Sequence, residues 1–145
     1  MFILFRKYIY LEKKERSILI QTFFWLIYAS ILARMVPLRW FNQLLGEFNK
    51  EIVVELDLDK LKTIQLAMKN MRRWKRRLPW KVKCFEEAIT LKKVLEKQDI
   101  LSTLFLGVDK NECKELIAHA WLKAGKQIVA GDKGVDKFVV VGFYS

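Results

Sequence analysis

At 145 residues the chain is long enough for one domain with its own buried core. Hydrophobic residues make up 52% of it, with ten Phe and five Trp, which excludes the polar composition of a disordered polymer. Lys and Arg number 27 against 16 Asp and Glu, a formal charge of +11 that favours acidic partners, an anionic membrane surface or nucleic acid without dictating a fold.

Residues 1 to 50 read as helical and unusually apolar, interrupted at Pro37 and loosened at Gly46. Within them the uncharged run Ser17 to Ala33 borders on the length of a membrane span, which needs about 20 apolar residues and at least roughly 17. Arg34 and Arg39 follow it in place of a small-residue cleavage site, so the expectation is a helix buried against the domain or a partner, not a secretory signal. Spanning or interfacial membrane association is the functional alternative. After the proline, Leu38, Trp40, Phe41, Leu44, Leu45 and Phe48 recur at helical spacing and predict a short second helix.

Ile52 to Leu58 fits either a short strand or a helix lead-in. Asp57 or Asp59 can cap the next helix, whose apolar face is Leu61, Ile64, Met68, Met71 and Trp74. That helix enters a basic tract, Lys69 to Lys83, without a single acid, and Pro79 ends it. A solvated helix face is the plain reading of the tract. Docking of an acidic peptide, a protein partner or anionic lipid is the functional one, and no nucleic-acid-binding motif accompanies it.

From Cys84 the pattern changes. Phe85, Ala88, Ile89, Val94 and Leu95 mark a helix of about four turns that stops near Gln98 and Asp99. Strand-type runs follow at Ile100 to Val108, Leu116 to Lys123, Lys126 to Ala130 and Phe138 to Tyr144, with a tight hairpin at Ala124-Gly125. The predicted fold is α+β: N-terminal helices over 1–77, then a core over 78–145 in which a cysteine-bearing helix packs on an antiparallel sheet. The two regions read as one continuous domain.

The chemistry rests on few residues. His119 is the only histidine, so any base of the usual kind must be this one. It follows Cys84 and precedes Asp132, the order of a cysteine triad whose last two members ride on neighbouring strands. The free amides at the start of its helix, with Lys81 and Lys83, favour a thiolate at Cys84, while Glu86 and Glu87 oppose it. The same amides can hold an oxyanion. Asp132 has the shorter path to the imidazole, and Asp136 is the alternate third member. Trp80 is a candidate to line the site or assist the oxyanion, with simple packing as the plainer reading.

The bland readings are a packed small residue for Cys84 and a satisfied core histidine for His119. Cys113, in a charged loop between Glu112 and Lys114, reads as an exposed thiol. Two cysteines are too few for a disulfide framework, and a single histidine argues against a zinc site. No glycine-rich phosphate loop is present, so no ATP hydrolysis is expected of this chain, and no cofactor is expected.

The stretches Lys83-Cys84-Phe85-Glu86-Glu87-Ala88, Leu106-Gly107-Val108, Ala118-His119-Ala120-Trp121-Leu122 and Ala130-Gly131-Asp132 together resemble a known family. It is the transglutaminase-like cysteine peptidase of lasso-peptide biosynthesis, the B protein in the form without its own leader-recognition domain. The resemblance covers roughly 78–144, and more loosely the apolar helix before Pro37 and Leu44-Leu45-Gly46. Phe85 stands where the family often has Leu, and Asp99 where it often has Gly.

The resemblance implies a papain/transglutaminase-like fold with Cys84 as nucleophile, His119 as base and Asp132 as its orienter. It implies removal of the leader from a ribosomally made precursor peptide at the leader–core junction. The implied partners are the precursor, a separate leader-recognition protein and an ATP-dependent lactam cyclase. A cytoplasmic setting, with membrane-surface contact through the first helix as an option, keeps such a thiol reduced. The competing expectations are a non-catalytic membrane-associated scaffold and an acyltransferase of the transglutaminase type.

Overall fold

The computed structural model of the protein describes residues 11–145, so the first ten residues of the predicted helical stretch lie outside the described residues. Helices α1 (Lys13–Met35), α2 (Leu38–Phe41), α3 (Leu58–Arg77) and α4 (Cys84–Glu96) precede strands β1 (Thr103–Lys110), β2 (Leu116–Ala124), β3 (Gln127–Ala130) and β4 (Val139–Tyr144). The strands form one antiparallel sheet in the order β3-β2-β1-β4. The fold is α+β, as the order of periodicities predicts.

α4 occupies the centre. Its apolar residues point to more than one side, and Ala88, Ile89, Leu91, Val94 and Leu95 are all buried. One side meets α1 and the other meets β2 and β1. On β2, Ala120, Leu122 and Ala124 join this core, while His119 and Trp121 alternate to the other face of the strand. One buried cluster therefore runs from Ile18 in α1 to Tyr144 in β4.

α1 is apolar on two flanks. Ile18, Leu26, Ala29 and Leu32 are buried against α3 and α4. Ile20, Phe24, Tyr28, Ile31 and Met35 form a second stripe that is exposed. By length and composition α1 is long and apolar enough to cross a membrane. Its inner flank is nevertheless committed to the protein core.

Local chemistry settles several boundaries. Asp57, not Asp59, caps α3, its Oδ1 accepting from the Lys60 amide at 2.8 Å. The expected helix over Leu38 to Phe48 shrinks to one turn of α2 and a 3-10 turn at Asn42–Leu45. The cause lies at its end, where Glu47 and Ser145 exchange backbone hydrogen bonds and draw the chain onto β4. Gly46 permits this with φ 108, in a place where a Cβ would lie 2.0 Å from Ser145 O. The basic tract is partly paired: Lys69 and Arg73 both meet Glu15, and Lys75 meets Glu87.

α4 ends at Glu96, just short of the expected stop near Gln98, and Asp99 then takes a left-handed conformation with φ 55. The Ile100 amide closes the turn on Leu95 O at 3.0 Å. Glycine adopts that conformation without the Cβ penalty, so Asp99→Gly is expected to raise stability by up to about 1 kcal/mol in urea unfolding.

Lys92 is buried at 2% exposure, and its ammonium donates to Ser102 O at 2.8 Å. Burial lowers its pKa from 10.5 to about 8, despite the opposing pull of Glu96. Between those two values the unfolded chain holds more protons than the folded one, so this group's destabilisation is full below pH 8 and fades as pH rises to 10.5. Lys92→Met is expected to stabilise the protein at pH 7 by up to about 3 kcal/mol, with the gain vanishing by pH 10.5. Urea unfolding of both proteins across that range reads the difference directly.

Candidate active site

Cys84 is the first residue of α4 and is half-buried. Lys83 caps the helix without a side-chain bond, and the first amide to find an intrahelical partner is that of Glu87, bonded to Lys83 O. Among the described residues the amides of the turn that carries Cys84 have no hydrogen-bond partner, the usual state of a helix N-terminus.

The two acids that oppose a thiolate are each engaged. Glu86 is fully buried, accepts from Ser30 Oγ at 2.9 Å and stands 3.1 Å from Arg34 Nη2. Glu87 pairs with Lys75 Nζ at 2.6 Å. Trp80 donates its indole N–H to Ser30 Oγ at 3.3 Å, and Arg34 lies 5.9 Å from the centre of its ring. Trp80 is thus part of the clamp that fixes α4 to α1, and its donor is not aimed at the site. Sequence reasoning missed this clamp because the partners lie some fifty residues apart on a helix read only for its hydrophobicity.

Cys84 opens onto a cavity of about 330 Å³ with almost wholly apolar walls. Leu38, Phe85, Leu106, Gly107, Val108, Ala118, His119, Ala120 and Val141 complete the lining. The two residues that the sequence singles out as nucleophile and base, Cys84 and His119, thus border one space. Cys113 is exposed in the β1–β2 connection and does not border it.

His119 pairs with Gly107 across the ladder. Its ring stacks on Phe138, with centroids 4.8 Å apart, and on Trp121, at 6.0 Å. Gly107 makes room for that stack, since a Cβ there would come within 2.7 Å of Trp121 and 2.8 Å of Phe138. His119 Nε2 lies 2.7 Å from Gly131 O. A carbonyl only accepts, so Nε2 is the donor, and in the neutral tautomer Nδ1 is the nitrogen left to take a proton. Among the described residues no hydrogen bond joins His119 to Cys84.

The third position differs from the expectation. Asp132 and Asp136 are exposed, and neither bonds the imidazole among the described residues. The ring is instead oriented by the carbonyl of Gly131, next to Asp132. Gly131 has φ 70, and a Cβ there would sit 2.2 Å from Ala120 O, so only glycine lets this carbonyl approach β2 so closely. Its sequence signal was a bare glycine after a strand. Among the described residues no group of three His, Cys, Asp or Glu side chains is placed to hold a metal ion.

A cysteine at the start of a central helix, beside an antiparallel sheet that carries the histidine, is an arrangement in which a thiol nucleophile and a base can work through an acyl-enzyme. The chain belongs to the transglutaminase-like superfamily, whose family model matches residues 32–142. That membership supports an activity of the cysteine peptidase or acyltransferase type. No curated protein and no solved structure shows significant similarity to the chain.

Proposed function

We propose that this protein is a cysteine peptidase that removes the leader from a lasso-peptide precursor. Cys84 is the nucleophile, His119 the base, and Gly131 O, from the residue before Asp132, holds the imidazole. The observation that carries the reading is that Cys84, at a helix N-terminus, and His119, with Nε2 already bonded, border one cavity in a transglutaminase-like chain. The resemblance of Lys83 to Ala88, Ala118 to Leu122 and Ala130 to Asp132 supplies the substrate class.

In the reaction His119 Nδ1 takes the thiol proton and Sγ adds to the carbonyl of the last leader residue. The free amides of the first turn of α4 hold the oxyanion. His119 then protonates the departing core amine, and water cleaves the thioester to release the leader. The Sγ–imidazole hydrogen bond forms when substrate closes the cavity, because such bonds in ligand-free enzymes are often long or misaligned. The leader is delivered by a separate recognition protein, and the freed core amine passes to the lactam cyclase.

Mass spectrometry of the precursor, incubated with this protein and the recognition protein, tests the reading. One cut at the leader–core junction, absent with Cys84→Ala, is the expected result. An assembled complex that leaves the precursor whole would favour a scaffold. Transfer of the leader acyl group to an added amine instead of water would mark an acyltransferase.

A further inference from the structure

β4 forms one border of the sheet, and it also reaches the cavity through Val141. Val139, Val140 and Val141 are 69%, 44% and 59% exposed. Further along, the outer edge of the same strand is occupied. Asn49 N–H donates to Phe143 O at 2.8 Å, and Glu47 and Ser145 exchange a pair of backbone bonds. The edge therefore accepts an extended segment where the chain supplies one. Over Val139 to Val141 no strand pairs with it among the described residues.

Native proteins block or cover an apolar edge of this kind with charge, proline or another element, because its free amides and carbonyls template a further strand. Among the described residues no charged side chain, proline or covering strand protects the three valines, and they end at the active-site cavity. A bulge opposite Leu106 and Gly107 leaves Val141 as the extra residue of β4, which turns the strand beside the cavity. The cavity, at about 330 Å³, is near the lower limit of ligand pockets and suits one large apolar side chain better than an extended ligand.

Resting on the peptidase reading, we infer that the substrate is an extended peptide added as a fifth strand along Val139 to Val141, with an apolar side chain next to the attacked carbonyl seated in the cavity. Backbone pairing supplies affinity without sequence preference, and the cavity supplies selectivity. A strand added to β4 lies three strand spacings, roughly 14 Å, from β2, which carries His119. About four extended residues cross that distance, so the edge-bound segment starts about four residues from the attacked carbonyl.

Blocked peptidyl chloromethyl ketones test both parts on the intact chain. The Cys84 thiolate displaces chloride, so a C–S bond forms as the C–Cl bond breaks, and the thiol proton passes to buffer. Probes with Leu or Phe before the ketone are expected to alkylate Cys84 about ten-fold faster than probes with Gly or Asp there. Ala118→Leu, at an exposed position of the cavity wall, should abolish that preference. In the adduct of a hexapeptide probe, the amides of Val139 to Val141 should exchange hydrogen about ten-fold more slowly than in a dipeptide adduct. Equal alkylation by all four probes would overturn the apolar subsite, and equal exchange in the two adducts would overturn strand addition. Either result leaves the peptidase reading intact as long as Cys84 is the residue alkylated. Alkylation of Cys84 no faster than Cys113 would remove that reading and this inference together.

Discussion

Cys84→Ala and His119→Ala are each expected to lower precursor cleavage by about 10⁴- to 10⁶-fold, and the double variant is expected to be no slower than either. In the proposed reaction nucleophile and base act as one unit: without the imidazole nothing takes the thiol proton during attack, and without the thiol the imidazole has nothing to activate. The residual rate comes from the helix-terminal amides and from binding alone. Fold retention should separate this loss from structural damage. Cys84 is half-buried at a helix start, and its alanine variant should unfold within about 1 kcal/mol of the parent. Additive losses in the double variant, or cleavage retained by either single one, would show that the two residues do not share a reaction.

Arg34→Met is expected to destabilise the protein by about 3 kcal/mol, read in urea unfolding. Glu86 has no exposed surface, and Arg34 Nη2 at 3.1 Å is the cation that offsets its charge. Breaking a buried pair from one side costs about 3–5 kcal/mol, and the lower figure applies here because the arginine side chain is 37% exposed. Ser30 Oγ remains as a donor but brings no charge. Combining Arg34→Met with Glu86→Leu should recover much of the loss, because two apolar residues of similar size leave no orphaned charge. A double variant as unstable as the sum of the two single ones would mean that packing, not charge, dominates at this position.

The frame of this fold was legible where one residue type admits one geometry. Gly125 supplies φ 59 in the two-residue turn between β2 and β3, and the hairpin falls one residue later than expected, at Gly125-Lys126, with Ala124 still in β2. The helix that begins at Cys84 was visible because Pro79 closes the preceding helix and an apolar run restarts after Lys83. The orienting group on His119 was not visible, because it is a backbone carbonyl and any residue carries one. Side chains of Asp132 and Asp136 were the natural suspects, yet both face solvent. Glu86 was hidden for a different reason: a carboxylate early in a helix is ordinarily a solvated end charge. Only the approach of Ser30 and Arg34, from another helix, makes it an internal residue.

Helix α1 is apolar enough to suggest an anchor, but its other attachments restrict that role. Ser30 and Arg34 hold Glu86, and Leu19 O accepts the indole N–H of Trp74 at 2.9 Å. Withdrawal of α1 into a bilayer would strand the Glu86 carboxylate and the Trp74 donor, and would unroof the helix that begins with Cys84. Insertion across a membrane and an intact thiol site are therefore mutually exclusive states of this polypeptide. A lipid contact that leaves these attachments in place is tangential, through the exposed Ile20, Phe24, Tyr28, Ile31 and Met35.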